Sequence, residues 1–487
     1  MSRKRMRKRA LAALVVVPAV AAGTLAIGLS VAASQGALGG DPIARQPLKE
    51  PPVVRSKNGR LAITFTAKSS IVSIGGRNVG TWAYNARVPG PTLELNRGDY
   101  LQITNVNQLP DQPTNLHTHG LHVSPKGQGD NVFVNSPSGN TFTNKYKIPM
   151  DHIPGQYWYH PHRHMYVTNQ VAAGMAGAII VKADTPEERE LETYRTRLMV
   201  FQEFQVADGV VQGAGAKSSA PLLTYVNGQL QPVVDIRPGE IQRWRLANMQ
   251  ANNFLRIQTP AGMKAWIIST DGNPTSRPIP VDDMLIPPAG RRTILVRKDT
   301  SSDIVVQNIP WGAGLQAIKQ QDLFTVRTSG SARPKQSLPK MQAVMPDLRG
   351  RPVANSRTVT FSMGSPLPGS TTPQFLINDM NYDSWGSKNL ARMKLNTVEE
   401  WTLTNTTSMY HPFHIHIQPF QVVSINGVPV KGVEYRDTVQ IPPMANGVPG
   451  KVVIRQRYTD FTGRFVIHCH ILFHEDNGMM APVEVVG

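Results

Sequence analysis

Pro91-Thr92-Leu93-Glu94-Leu95-Asn96-Arg97-Gly98-Asp99-Tyr100-Leu101-Gln102-Ile103-Thr104-Asn105 sets out a pattern that the chain repeats. Apolar and polar residues alternate on either side of a polar turn, which reads as two short, half-buried strands. A second copy runs Pro232-Val233-Val234-Asp235-Ile236, then Arg237-Pro238-Gly239-Glu240, then Ile241-Gln242-Arg243-Trp244-Arg245-Leu246-Ala247-Asn248. A third, more diverged, ends Glu399-Glu400-Trp401-Thr402-Leu403-Thr404-Asn405. The 487 residues are enough for about three units. Forty glycines and 39 prolines provide turns, and helical periodicity is scarce. The expected fold is all-β: three consecutive antiparallel sandwiches at residues 57–185, 186–335 and 350–487. Linkers fall where charge, Pro and Ser accumulate, near Ala183 to Leu191 and near Ser329 to Lys340.

The third copy leads directly to the chemistry. His411, His414 and His416 follow Asn405 by six, nine and eleven residues, whereas Phe254, Ile257 and Thr259 stand at those offsets from Asn248. The middle unit thus has sandwich residues where the third has candidate ligands, and reads as a scaffold. Ten of the 13 histidines cluster in four groups: His117/His119, His160/His162, His411/His414/His416 and His468/His470/His474. Only His122, His152 and His164 stand outside. In a strand, residues i and i+2 point to one face, so four His-x-His pairs aim eight imidazoles, enough for several metal ions. The only cysteine, Cys469, lies between His468 and His470, with His474 and Met479 close behind. A lone cysteine makes no intramolecular disulfide, and sulfur-rich zinc sites usually need several. One thiolate, imidazoles and a nearby thioether form the donor set of a blue-copper site. Alternation turns Cys469 away from its two neighbours, so one short backbone segment joins a cysteine site to a histidine cluster.

These four motifs, in this order and at these separations, resemble the copper signatures of the multicopper oxidases, the laccase family, over roughly residues 57–487. The resemblance implies cupredoxin-like Greek-key domains and four copper ions. It assigns a type 1 copper to His411, Cys469, His474 and, axially, Met479. A type 2 copper falls to His117 and His414. The type 3 pair falls to His119, His160 and His470 on one ion and His162, His416 and His468 on the other. Gly155 precedes His160, and Gly463 precedes His468, by five residues, which places Pro161 at the cysteine position of the first unit. That unit then has no type 1 copper, and its four histidines must meet those of the third unit across an interface. Glu475 matches a proton-relay glutamate of bacterial members, and alternation along the chain would turn it toward the cluster. Asp130, in Gly129-Asp130-Asn131, resembles an acid on the oxygen side. Asp476 reads as structural.

The implied activity couples four one-electron oxidations of a small reducing substrate to reduction of O2 to two waters. Phenols or aromatic amines are favoured, because no methionine-rich insert is visible and Thr407 stands where cuprous-oxidising relatives carry an acid. Oxidation of Cu(I), Mn(II) or Fe(II) is the alternative, and an electron carrier without turnover is the alternative of another class. Eight extra histidines oppose a carrier, and His468-Cys469-His470 opposes a copper nitrite reductase.

The net charge is +18, with six of those charges in the first nine residues. Arg3 to Arg9 followed by the uncharged Ala10–Ser34 reads as an export segment, either a cleaved signal or an N-terminal membrane anchor. Residues 35–56 then form a Gly/Pro-rich tether. Export places the protein extracellularly, at the cell surface or in the periplasm, as a monomer whose basic surface favours membranes or cell-wall polymers. No zinc finger or aromatic-basic platform supports nucleic-acid binding, and Ile74-Gly75-Gly76 lacks the context of a nucleotide motif.

Overall fold

The computed structural model describes residues 45–487 except 215–217, 335 and 342–344. The expected export segment, 1–34, lies outside the described residues. The described chain folds as three cupredoxin-like sandwiches whose regular structure is mostly strand, with a few short helices.

The repeat builds the sandwich corners. In each copy the first strand lies in one sheet and the second in another: Thr92–Asn96 then Tyr100–Gln108, Val233–Ile236 then Ile241–Asn248, Ala391–Lys394 then Val398–Asn405. The turn between them needs a left-handed residue. Gly98 (φ 80°) and Gly239 (φ 78°) serve twice, and Asn396 (φ 63°) serves the diverged copy, asparagine being one of the few side chains that tolerates this region. Each turn is clamped by the next residue. Asp99 Oδ2 accepts from the Asn96 N–H at 2.7 Å, Glu240 Oε2 from the Arg237 N–H at 2.8 Å, and the Thr397 hydroxyl donates to the Lys394 carbonyl at 2.6 Å. Past the turn, alternate residues enter the cores: Leu101 and Ile103 in the first, Trp244 and Leu246 in the second, Trp401 and Leu403 in the third.

Two features depart from the repeat. The first and second units share one eleven-stranded sheet. The long strand Arg195–Ala207 folds back on Val210–Val211, and Val210 pairs with Gly80 of the first unit. The expected linker near Ala183 to Leu191 contains a short helix, Pro186–Glu192, capped by the Thr185 hydroxyl.

Two strand pairs position the site. His117–His119 runs antiparallel to Gly155–His160, with His117 opposite His160. In the third unit His411–Ile415 lies between Thr438–Ile441 and Gly463–Cys469, with Phe413 opposite Cys469 and His414 opposite His468.

Candidate metal centre

That register sorts the donors. Residues directly opposite one another share a face. Phe413 and Cys469 therefore point together into the third core, and His411, two residues before Phe413, follows them. His414 and His468 point the other way, toward the first unit.

On the core face, Cys469 Sγ is 3.5 Å from His411 Nδ1 and 3.6 Å from His474 Nδ1, and the two nitrogens are 3.2 Å apart. A triangle with those edges has a point about 2 Å from all three corners, the length of a metal–donor bond. Burial pushes the Cys469 thiol up from its ordinary range and depresses the His411 imidazole to about 3 and His474 well below its usual value. A buried thiolate between neutral imidazoles is stable only beside a cation. Met479 is buried in the same core, and its carbonyl accepts the Cys469 N–H at 3.0 Å. The Thr407 hydroxyl is 2.8 Å from His411 Nε2 and fixes that ring from behind. A carboxylate here would raise the basicity of the imidazole more than a hydroxyl does. Were a redox-active metal ion held by His411, Cys469 and His474, Thr407→Asp would be expected to lower its reduction potential by roughly tens of millivolts. Spectroelectrochemical titration measures this, and an unchanged or higher potential would remove Thr407 from the tuning of the site.

On the opposite face the imidazoles of the two units interlock. His117 stacks on His416, and His119 on His414, each with centroids 3.8 Å apart. His162, His416 and His468 bring their Nε2 atoms within 3.1, 3.2 and 3.3 Å of one another. Burial is the main cause holding all three below the usual histidine range, His162 and His468 at about 4. Converging neutral lone pairs repel each other unless a metal ion lies between them. The remaining donors are placed the same way. His117 Nδ1 donates to Asp130 Oδ2 at 2.7 Å, His160 Nδ1 to the Pro161 carbonyl at 2.7 Å, and His414 Nδ1 to the Asp437 carbonyl at 2.8 Å. In each case the opposite Nε2 is buried with no partner. His119 is reversed: its Nε2 faces Asp437 Oδ1 at 3.2 Å and its Nδ1 is the unpartnered atom. His470 has neither ring nitrogen partnered and lies 5.0 Å, centroid to centroid, from His119. Buried polar atoms without partners are rare, and so many aimed into one space fit metal ions.

Both acids expected near the cluster are there. Asp130 is buried, accepts the Thr118 N–H at 2.8 Å besides the His117 bond, and is pushed up to about 7 by burial. Glu475 arrives differently from the expectation. It sits on a helix, Leu472–Asp476, so a helical turn rather than strand alternation aims it at the cluster. Its Oε2 is 2.9 Å from His468 Nδ1 but off the N–H axis, since that nitrogen bonds to the Cys469 carbonyl at 3.2 Å. Neither carboxyl oxygen has an aligned partner among the described residues. Asp476 caps the helix Val167–Ala172 through the Thr168 N–H and hydroxyl, both at 2.7 Å.

His122, His152 and His164 stay outside the donor sets. His122 Nε2 pairs with Asp460 at 2.8 Å, His152 Nε2 accepts the His122 N–H at 3.0 Å, and the His164 ring packs at a tilt against Tyr382. Two contributors lie beyond the sequence reading, Asp437 and Arg291, while Thr407, read there only for its bearing on the substrate, proves to touch His411. Arg291 begins a buried strand and Asp437 lies in the bend between Tyr435–Arg436 and Thr438–Ile441, and neither position carried a local sequence signal.

A multicopper oxidase family model matches residues 354–486, and a second matches 66–186, together a little over half of the chain. A laccase of Bacillus stratosphericus is 24% identical, aligned over 83% of this chain and 90% of its own. Multicopper oxidase MmcO of Mycobacterium tuberculosis is 26% identical over 89% of this chain and 88% of its own. The fold matches that of a Campylobacter jejuni multicopper oxidase described as a metallo-oxidase, with a TM-score of 0.79 at 24% identity, covering 91% of this chain and 95% of that one. Both matched segments contain donor strands, and the unmatched middle contains none. The chain therefore belongs to the multicopper oxidase family, oxidoreductases that carry four copper ions.

Proposed function

We propose that His411, Cys469 and His474 would hold a type 1 copper, with Met479, buried in the same core, as its thioether donor. His117 and His414 hold a type 2 copper. His119, His160 and His470 hold one type 3 copper, and His162, His416 and His468 the other. The observation that carries this reading is the placement of Cys469. Its side chain joins the His411–His474 set, while the residues on either side of it belong to the imidazole cluster. When bound, the coppers supply one-electron uptake at the thiolate site and four-electron reduction of O2 to two waters at the cluster.

The chain's own residues account for the rest. His474 is 5% exposed while His411 and Cys469 are fully buried, so reducing equivalents enter through the His474 edge. With copper bound, the short backbone from Cys469 to His468 and His470 would link the thiolate site to the imidazole cluster. Asp130 holds the His117 proton at Nδ1 and so presents Nε2 to metal. Glu475, with unpartnered oxygens against His468 and His162, is the proton donor for the oxygen side. One chain supplies all twelve donors, which supports a monomer.

For the electron donor we propose phenols or aromatic amines. The His474 ring stacks on Phe375 at 4.1 Å, and the adjacent Phe473 is 43% exposed, an aromatic border suited to a flat aromatic donor. The metallo-oxidase reading, with Cu(I), Mn(II) or Fe(II) as donor, is favoured by one observation: Met444, 40% exposed, donates its N–H to the Thr407 carbonyl beside His411. Oxygen consumption by the copper-loaded protein against phenols, aromatic amines and the three reduced metals decides between them. Turnover with the metals alone would overturn the aromatic assignment. We propose export on the basic and apolar N-terminus; among the described residues no helix is long and apolar enough to cross a membrane. Fractionation of cells making the full chain and one lacking residues 1–34 tests it, and an unchanged location on truncation would count against it.

A further inference from the structure

The middle unit supplies no ligand, yet one of its side chains reaches the histidine cluster. Arg291 begins the strand Arg291–Lys298 and is 1% exposed. Its Nη1 donates to Asp437 Oδ1 at 2.9 Å and its Nη2 to Asp437 Oδ2 at 2.6 Å, a two-pronged match of guanidinium to carboxylate. Arg291 is itself held. Its backbone N–H donates to Asp271 Oδ1 at 2.8 Å, and Nη1 also donates to the Ala289 carbonyl at 3.0 Å.

Asp437 is where the three units meet. Its Oδ1 takes the Thr438 hydroxyl at 2.9 Å and faces His119 Nε2 from the first unit at 3.2 Å, while its carbonyl takes His414 Nδ1 of the third. A carboxylate on one ring nitrogen fixes the tautomer and leaves the other nitrogen for metal. His119 is the imidazole turned opposite to His117, His160 and His414, and Asp437 is the acceptor that turns it.

We infer that Arg291 is a positioning residue for the trinuclear site: it locks the Asp437 carboxylate in the plane that presents His119 Nδ1, and holds the backbone that presents His414 Nε2. The inference rests on the ligand reading above. Gly120 supports it independently. At φ 84° it follows His119, and a Cβ placed there would stand 2.6 Å from Asp437 Oδ2 and 2.7 Å from Arg291 Nη2. The ion pair occupies the space that the missing side chain leaves.

The test uses the full chain, copper-loaded, as wild type, R291M, R291K and G120A. Copper per chain, the blue band, the type 2 electron paramagnetic resonance signal and reoxidation of the reduced protein by O2 are read separately. R291M is expected to keep the blue band and its anaerobic reduction. It should lose at least one of the four coppers, change the type 2 hyperfine splitting and reoxidise at least ten-fold more slowly. R291K, a cation without the planar fork, should fall between. G120A, strained at φ 84° beside His119 whatever the space, reports on the turn that holds His119 rather than on Arg291 alone. If R291M lacks the blue band through misfolding, R291K decides on the same readouts. A folded set with four coppers, wild-type hyperfine splitting and wild-type reoxidation would overturn the inference. A wild type that binds no cluster copper would instead overturn the ligand reading, so the two failures are distinguishable.

Discussion

Cys469→Ser is expected to abolish both the blue colour and oxidase turnover while leaving three coppers in the protein. The colour needs a sulfur-to-copper charge-transfer transition, and Cys469 is the only cysteine in the chain. A serine hydroxyl does not ionise at neutral pH to replace the thiolate, and it is a harder donor than soft copper sites select. The cluster imidazoles lie on the far side of the strand and their positions depend on His468 and His470, so their metal stays. Absorption, copper analysis and oxygen uptake check this together. A Cys469→Ser protein that remained blue, or one that lost all four coppers, would show that the two faces of the strand are not separate sites.

Glu475→Gln is expected to slow reoxidation by O2 by about 10²-fold, the lower range for a lost general acid, with the blue band and copper content intact. Glutamine matches the shape and retains a hydrogen-bonding carbonyl, but it carries no transferable proton. Because Glu475 faces His468 and His162 rather than the Cys469 set, anaerobic reduction of the type 1 copper should proceed at the wild-type rate. Stopped-flow measurement of the two half-reactions separates them. Normal reoxidation would make Glu475 a structural acid and leave Asp130 as the remaining candidate.

What was legible in the sequence was local. His-x-His spacing marked the donors within three residues, although only His117/His119 lies wholly on a strand and His162, His416 and His470 fall just past their strand ends. The single cysteine carries its contrast with its neighbours in the same span. The first two corner turns were equally readable, whereas of the diverged third copy only Glu399–Asn405 was legible and its turn at Asn396 emerged with the fold. The helix Pro186–Glu192 had its signal in Thr185-Pro186, a capping residue followed by a proline suited to the first turn, but the run of charge read as a linker. Arg291 was hidden for a different reason. Its partner Asp437 is 146 residues away, and no spacing rule connects positions so far apart. The pairing of Val210 with Gly80 is likewise a contact between two unremarkable short segments, visible only once both sheets exist.

Four imidazoles of the cluster come from one sandwich and four from another, whereas the thiolate site lies wholly within the third. The two centres therefore have different birth dates. A third unit that has folded by itself already owns a complete pocket for its first metal ion. The second pocket does not exist until the halves have docked, and on the proposed ligand assignment each ion bound there would be a rivet between them. Metal bound only by the docked form stabilises it by mass action, so the cluster copper is the fastener of the enzyme's architecture as well as its reagent.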